Sequence, residues 1–162
     1  MEVTDITRAF QSGDFARSNL FEVEIPLLGS DFKFKCKAAA LPGAAVEAIP
    51  VSYQNKKIKI AGDRTFEDWN ISVYNDDEHD TRQSFLDWQA LAQSQNREIS
   101  GETPETYKKL GIIRQLNRKG VVTKTYTING IWPTNVQEVQ LDWDTNNEVQ
   151  VFEVTLSVDW WE

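Results

Sequence analysis

The segment 149–160 constrains this chain most. Phe152, Val154, Leu156, Val158 and Trp160 alternate without a break with Glu153, Thr155, Ser157 and Asp159. Successive side chains of a strand point to opposite faces, so a period of two is a half-buried β-strand; a helix would scatter these apolar residues around its axis. The pattern recurs. Phe21, Val23 and Ile25 alternate with Glu22 and Glu24. Trp69, Ile71 and Val73 alternate with Asp68, Asn70 and Ser72. Val139, Leu141 and Trp143 alternate with Glu138, Gln140 and Asp142. A chain built this way folds into sheets with one apolar face each, and its strand edges must be paired or covered.

The remaining segments fill in the plan. Phe32, Phe34 and Cys36 alternate with Lys33, Lys35 and Lys37 after Gly29-Ser30-Asp31, which predicts a hairpin of 21–25 with 32–37, glutamates facing lysines. Residues 41–62 form a long excursion between strands, apolar at its start and basic at its end, with Ser52 to Ile60 strand-like. Long ordered loops in compact domains usually carry function. Residues 112–117 and 121–129 flank Arg118-Lys119-Gly120, a hairpin turn. Phe85, Trp88, Leu91 and Ala92 make the single helical stripe, and Asn75-Asp76-Asp77 can cap it, so a helix is predicted over about 78–95. Residues 1–18 are polar with scattered Ile6, Phe10 and Phe15 and suit an extended arm. The expected fold is mainly β: two packed antiparallel sheets, a sandwich or partly open barrel, with one flanking helix. At 162 residues, one domain is expected.

Chemistry is scarce. Cys36 is the one cysteine and His79 the one histidine, which removes disulfides and the usual zinc sets. His79 lies in the polar start of the predicted helix and suits a cap-associated role. Cys36 lies on an apolar strand face and suits an inert buried thiol. With 25 acidic residues, pairs such as Glu67 with Asp68 or Asp142 with Asp144 arise by chance. The stretch from Asp142 to Glu148 lacks the central glycine of an EF-hand and reads as a β-turn. No catalytic residue, metal or cofactor is expected. Met1-Glu2-Val3-Thr4-Asp5 lacks the apolar core of a signal peptide, no apolar run is long enough to span a membrane, and the single cysteine fits a reducing compartment. Trp69, Trp88, Trp143 and Trp160 fall on apolar stripes and are expected in the core. Trp132 and Trp161 fall outside or at the end of a stripe and are candidate interface anchors.

The net charge of −8 and pI near 4.7 argue against tight nucleic-acid binding. The charge is segregated. Residues 65–106 carry ten acidic and two basic side chains, 107–131 carry six basic and no acidic, and 132–162 carry seven acidic and no basic. Such blocks must meet opposite charge, either within the fold or across a subunit contact.

Five stretches carry a resemblance: TRAFQSGDFARSNLFEVEI from Thr7, CKAAALP, KIKIAGDRTFEDW, NDDEHDTRQSFLDWQ, and the closing IWPTNVQEVQLDWDTNNEVQVFEVTLSVDWWE. Together they resemble the tail tube proteins of T-even-type contractile bacteriophages over nearly the whole chain. The resemblance implies six copies in a ring, with inner sheets joined edge to edge around a channel, and rings stacked into a tube inside a contractile sheath. It implies ring-to-ring contact through the arm 1–18, the excursion 41–62 and the C-terminal segment 159–162. Candidate contact residues there are Phe10, Phe15, Leu41, Val46, Ile49, Tyr53, Lys56, Lys57 and Trp161. Implied partners are further copies of the chain, the sheath protein, a baseplate tube initiator, a tail terminator, the tape measure protein, and DNA in transit without specific binding. The implied location is the virion, after assembly in the host bacterial cytoplasm, with no membrane insertion.

A conduit for DNA must not hold phosphate, so its walls should be acidic or neutral. Glu138, Asp142, Glu153 and Asp159 are the candidates to line the channel, with their outward placement as the alternative. Lys108, Lys109 and Arg114 of the basic block are candidates to meet an acidic block of a neighbouring subunit. Alternatives within the conduit class are tubes of bacterial contractile injection or type VI secretion machines. Outside it stand a carbohydrate-binding module and a glycoside hydrolase using Asp142 or Asp144.

Overall fold

The computed structural model describes Val3, Arg8, Gly13, residues 15–95 and residues 100–162. In chain order these hold β1 (Phe21–Glu24), α1 (Phe32–Lys35), β2 (Cys36–Ala39), β3 (Ala44–Tyr53), β4 (Lys56–Phe66) and β5 (Trp69–Tyr74). Then come α2 (Asp80–Ala92), α3 (Pro104–Tyr107), β6 (Lys109–Leu116), β7 (Val122–Val136), β8 (Val151–Ser157) and β9 (Trp160–Trp161). Seven strands are ordered β1-β6-β7-β8-β5-β2, with β9 also on β7; among the described residues β3 and β4 pair only with each other. All pairings are antiparallel.

The long strand β7 makes this a sandwich. Its first part pairs with β6 and β9, and its second part, Trp132–Val136, pairs with β8. Between the Gly111↔Ile128 and Lys109↔Ile131 pairs β7 carries an extra residue, a bulge. Gly130 sits there at φ +66. The bulge turns the strand from one sheet layer to the other, so the half containing β1 and β6 folds over the half containing β8, β5 and β2. A side chain at Gly130 would be strained in this left-handed conformation by about 1–2 kcal/mol and would run into the Asp159 carboxylate. Gly130→Ala is therefore expected to lower the urea midpoint clearly. An unchanged midpoint would show that the bend needs no glycine.

The two halves and the helix close one core. Val23, Ile113, Ile128 and Ile131 come from one layer, and Trp69, Ile71, Val73, Phe152, Val154 and Leu156 from the other; all are buried. Helix α2 adds Phe85 and Trp88. The Phe85 ring lies 5.7 Å from Phe32, 5.9 Å from Phe152 and 6.4 Å from Trp88. The Trp88 indole donates to the Tyr107 carbonyl at 2.6 Å, and the Gln89 amide donates to the Thr134 carbonyl at 3.1 Å, which seats the helix beside the second half of β7.

Three predicted elements are corrected. Residues 32–37 do not pair with β1. Phe32–Lys35 is a helical turn with Phe32 buried against α2 and Phe34 exposed, and the Lys35 amine donates to Thr81 Oγ1 at 3.1 Å. A Phe-Lys alternation over so few residues yields to the tertiary contact that Phe32 makes. β1 pairs instead with β6, and β2 with β5. The excursion 41–62 is an extended two-stranded hairpin reaching Phe66. The strand expected at 139–143 is absent: residues 137–150 form a loop, Trp143 is 99% exposed, and Trp160, also expected in the core, is 45% exposed.

Other expectations hold with shifted ends. The helix spans Asp80–Ala92 rather than 78–95. Its cap residue is His79, at φ +59, while Asp76 Oδ1 accepts from the Thr81 amide at 3.2 Å. That bond holds the Asp76 carboxyl below its ordinary range. The hairpin around Arg118-Lys119-Gly120 is present, with Asn117 Oδ1 accepting from the amides of Lys119 and Val121, both at 2.9 Å.

Candidate assembly surfaces

The β3–β4 hairpin stands apart from the core. All ten residues of β3 are exposed, and so are nine of the eleven in β4. Directly opposed residues of antiparallel strands share a face. Ile49 opposes Ile60, Val51 opposes Ile58, and Tyr53 opposes Lys56. One face therefore carries Ile49, Val51, Tyr53, Ile58 and Ile60, all exposed. The other carries Pro50, Ser52, Lys57 and Lys59. A contiguous apolar face of this kind marks an interaction surface. Ile49, Tyr53 and Lys56 fall on the apolar face and Lys57 on the basic one. Val46 precedes the register shift and opposes Arg64. Val51, Ile58 and Ile60 were not among the candidates, although Lys57-Ile58-Lys59-Ile60 displays the alternation that finds the last two; Val51 joins them only through its pairing with Ile58.

At the hairpin base, Leu41 and Pro42 line a small apolar pocket with Tyr126, Ile128 and Trp161. Trp161 itself is half-buried, edge-on to Phe66 at 6.0 Å and Tyr126 at 5.7 Å. Trp132, the other candidate anchor, is half-buried edge-on to Tyr107 at 5.5 Å. Phe15 is exposed beside the 117–120 turn. Phe10 lies outside the described residues, as does most of the arm 1–18.

The acidic candidates separate into three settings. Glu138 and Asp142 are exposed on the loop 137–150. Glu153 stands on the face of β8 away from the core. There it opposes Ser72, and neighbouring Thr155 donates its hydroxyl to Asn70 Oδ1 at 2.9 Å. This face of β5 and β8 is polar and carries no Lys or Arg. Asp159 is bound within the chain, accepting from Lys108 Nζ at 2.8 and 3.0 Å. Arg114 likewise meets Glu24 at 2.6 Å and Glu22 at 3.8 Å, and Lys33 meets Glu22 at 3.5 Å. Part of the basic block is thus neutralised inside the subunit. Lys109 is half-buried opposite Ile131.

The described residues offer little for catalysis. Burial pushes the Cys36 thiol up to about 11, against a weaker opposing backbone hydrogen bond at Ala38, which keeps it protonated and unreactive at neutral pH. His79 Nδ1 lies 2.8 Å from the Asn75 amide at the helix start. Asp142 Oδ1 accepts from the Asp144 amide at 2.9 Å in a turn. Among the described residues no three His, Cys, Asp or Glu side chains converge as metal ligands, and no helix is long and apolar enough to cross a membrane.

A sandwich with an unburied apolar hairpin, a projecting loop and segregated charge on its surface fits a structural protein. Comparison with known proteins agrees. The chain belongs to the phage tail tube protein family, whose model matches residues 5–162. It is 60% identical to tail tube protein gp19 of Enterobacteria phage T4 over 163 residues, covering 100% of both chains. In fold it is similar to a chain of the sheath–tube complex of the PVC extracellular contractile injection system in its extended state. The TM-score there is 0.69 at 16% identity, over 100% of this chain and 97% of that one. It is equally similar to a chain of the anti-feeding prophage tube-terminating cap, with TM-score 0.69 at 19% identity over 95% and 97% of the two chains. The protein is a structural component of a phage tail.

Proposed function

We propose that six copies form a ring, that rings stack into the hollow inner tube of a contractile tail, and that the tube conducts DNA and the tape measure protein. The observation that carries this reading, beyond family membership, is the β3–β4 hairpin: its apolar face is exposed, with no cover among the described residues of its own chain. Stacked rings supply that cover, with the hairpin, the arm 1–18 and the segment 159–162 making the ring-to-ring contact through Phe10, Phe15, Leu41, Val46, Ile49, Tyr53, Lys56, Lys57 and Trp161. The polar face of β5 and β8 serves as channel wall. Its core side is closed by the other layer and by α2, and its free side offers Asn70, Ser72, Glu153 and Thr155 without a cation to trap phosphate. Glu138 and Asp142, on the loop 137–150, are assigned the same role, as is Asp159, whose carboxylate Lys108 already holds. The sheath protein, a baseplate tube initiator and a tail terminator are the implied partners. Lys108, Lys109 and Arg114 are assigned to a contact with an acidic block of the next subunit; for Lys108 and Arg114 this means sharing carboxylates they already hold.

Purified protein viewed by negative stain, with its mass measured by light scattering, tests the reading. Hollow rods built from sixfold discs are expected. A stable monomer at high concentration, with no rods or rings, would overturn it.

A further inference from the structure

The β3–β4 hairpin and the loop 137–150 leave opposite ends of one strand. The hairpin follows β2 and ends at Phe66, so it joins β5 at Trp69. The loop ends at Gln150, whose carbonyl accepts from the Asn75 amide at 2.9 Å, just past the other end of β5. Between these two ends β5 and β8 pair without a register shift, from Trp69↔Leu156 to Tyr74↔Val151. Within the chain neither element covers the other: Tyr53 at the hairpin tip is 65% exposed, and Trp143 of the loop is 99% exposed.

The two surfaces are complementary. Residues 49–60 join the apolar hairpin face to Lys56, Lys57 and Lys59, and that stretch holds no acidic residue. The loop joins exposed Leu141, Trp143 and Val149 to four acidic residues, with no Lys or Arg. Two of the four carboxylates are used locally: Glu138 Oε1 accepts from the Gln140 side chain at 3.0 Å, and Asp142 Oδ1 from the Asp144 amide at 2.9 Å. Asp144 and Glu148 are exposed beside the indole. The loop and the end of β5 border a hollow of 1060 Å³, where Leu141, Trp143, Val149 and Tyr74 meet one cation, Lys37. An indole standing free among apolar neighbours leaves a large area for a partner to cover.

We infer that the loop 137–150 of one copy receives the hairpin tip of a second copy of this chain. Val51, Tyr53 and Ile58 of the tip pack against Leu141 and Trp143, and Lys56 and Lys57 face Asp144 and Glu148. Because the two surfaces differ and stand at opposite ends of β5, the contact is head-to-tail and repeats from copy to copy. The opposed charges fix which end meets which. The inference rests on the tube reading and gives the stacked hairpin its receiving surface.

Charge exchange tests it. Lys56→Glu with Lys57→Glu sets an acidic tip against an acidic loop. Asp144→Lys with Glu148→Lys sets a basic loop against a basic tip. Each double variant alone is expected to lose sedimentable polymer, and the chain carrying all four substitutions to regain it, because opposite charges face each other again. Should that chain not fold by circular dichroism, an equimolar mixture of the two double variants presents the same opposed contacts and is expected to recover polymer. Trp143→Ala is expected to raise the critical concentration for assembly by about tenfold or more. If the wild-type protein forms no rods, the tube reading fails and this contact with it. If wild-type rods form but either double variant polymerises normally alone, or the restored charge pairing does not recover polymer, or Trp143→Ala leaves assembly unchanged, the contact is overturned while the tube reading stands.

Discussion

Replacing Ile49, Val51 and Ile58 together with Asp is expected to abolish tube formation while leaving the subunit folded. The three side chains share the apolar face of the β3–β4 hairpin and are exposed in the monomer. Among the described residues the hairpin pairs with no other strand, so the core stays closed. Surface substitutions of this kind usually shift stability by no more than about 0.5 kcal/mol each. The assembled state differs. Burying each such side chain contributes about 1.5–3 kcal/mol, and the variant removes three per subunit and inserts three charges where cover was expected. Each 1.4 kcal/mol is a tenfold change in affinity, so the critical concentration should rise beyond any practical protein concentration. Sedimentation reads the polymer, and circular dichroism with a melting curve reads the fold. Lys57→Gln with Lys59→Gln, on the opposite face, provides the contrast and should have the smaller effect. Rods formed by the triple variant at wild-type concentration would show that the apolar face lies outside the contact.

Both the hairpin and the loop 137–150 show what alternation says and where it is silent. A period of two reports that one face of a segment wants cover. It does not report whose residues supply the cover. At 151–157 and 69–73 the cover is the chain's own core, and those strands stand where the pattern puts them, whereas Val149 and Trp160, at the two ends of the predicted 149–160 strand, are exposed. At Ile58 and Ile60 the pattern is equally clear, and both residues are exposed. At Val139, Leu141 and Trp143 it misplaced a strand, because β8 returns directly along β7 through the Pro133↔Leu156 and Val136↔Val154 pairs and leaves no ladder for the intervening residues. The Phe-Lys run at 32–35 failed differently: four residues are too few to fix a period, and the long-range contact of Phe32 with Phe85 decided the conformation. The charge blocks were legible in number but not in use. Sequence cannot show that β1 lies beside β6, which is what brings Glu22 and Glu24 to Arg114. Glu153 was assigned to the polar face of its strand by alternation alone, and it is there.

Phe85→Ala should act on the fold in the way the hairpin variant acts on assembly. Phe85 is fully buried and touches three rings from three parts of the chain: Phe32 of α1, Trp88 of its own helix and Phe152 of β8. Truncation removes the contact that ties α2 and α1 to the sheet and leaves a cavity the flat sheet face cannot fill by collapse. Such changes cost about 3–5 kcal/mol, a large part of the roughly 5–15 kcal/mol that holds a domain folded. For a chain of this length each kcal/mol moves the melting temperature by about 2–4 °C, so a drop on the order of 10 °C is expected by calorimetry. Phe85→Leu keeps most of the volume and should recover the greater part, at a cost under about 1.5 kcal/mol. Below its lowered melting temperature, the Ala variant still presents an intact hairpin, so it should polymerise in the cold and fail on warming, whereas the hairpin variant fails at every temperature. An unchanged melting temperature would show that α2 is held by its hydrogen bonds to Tyr107 and Thr134 rather than by the aromatic cluster.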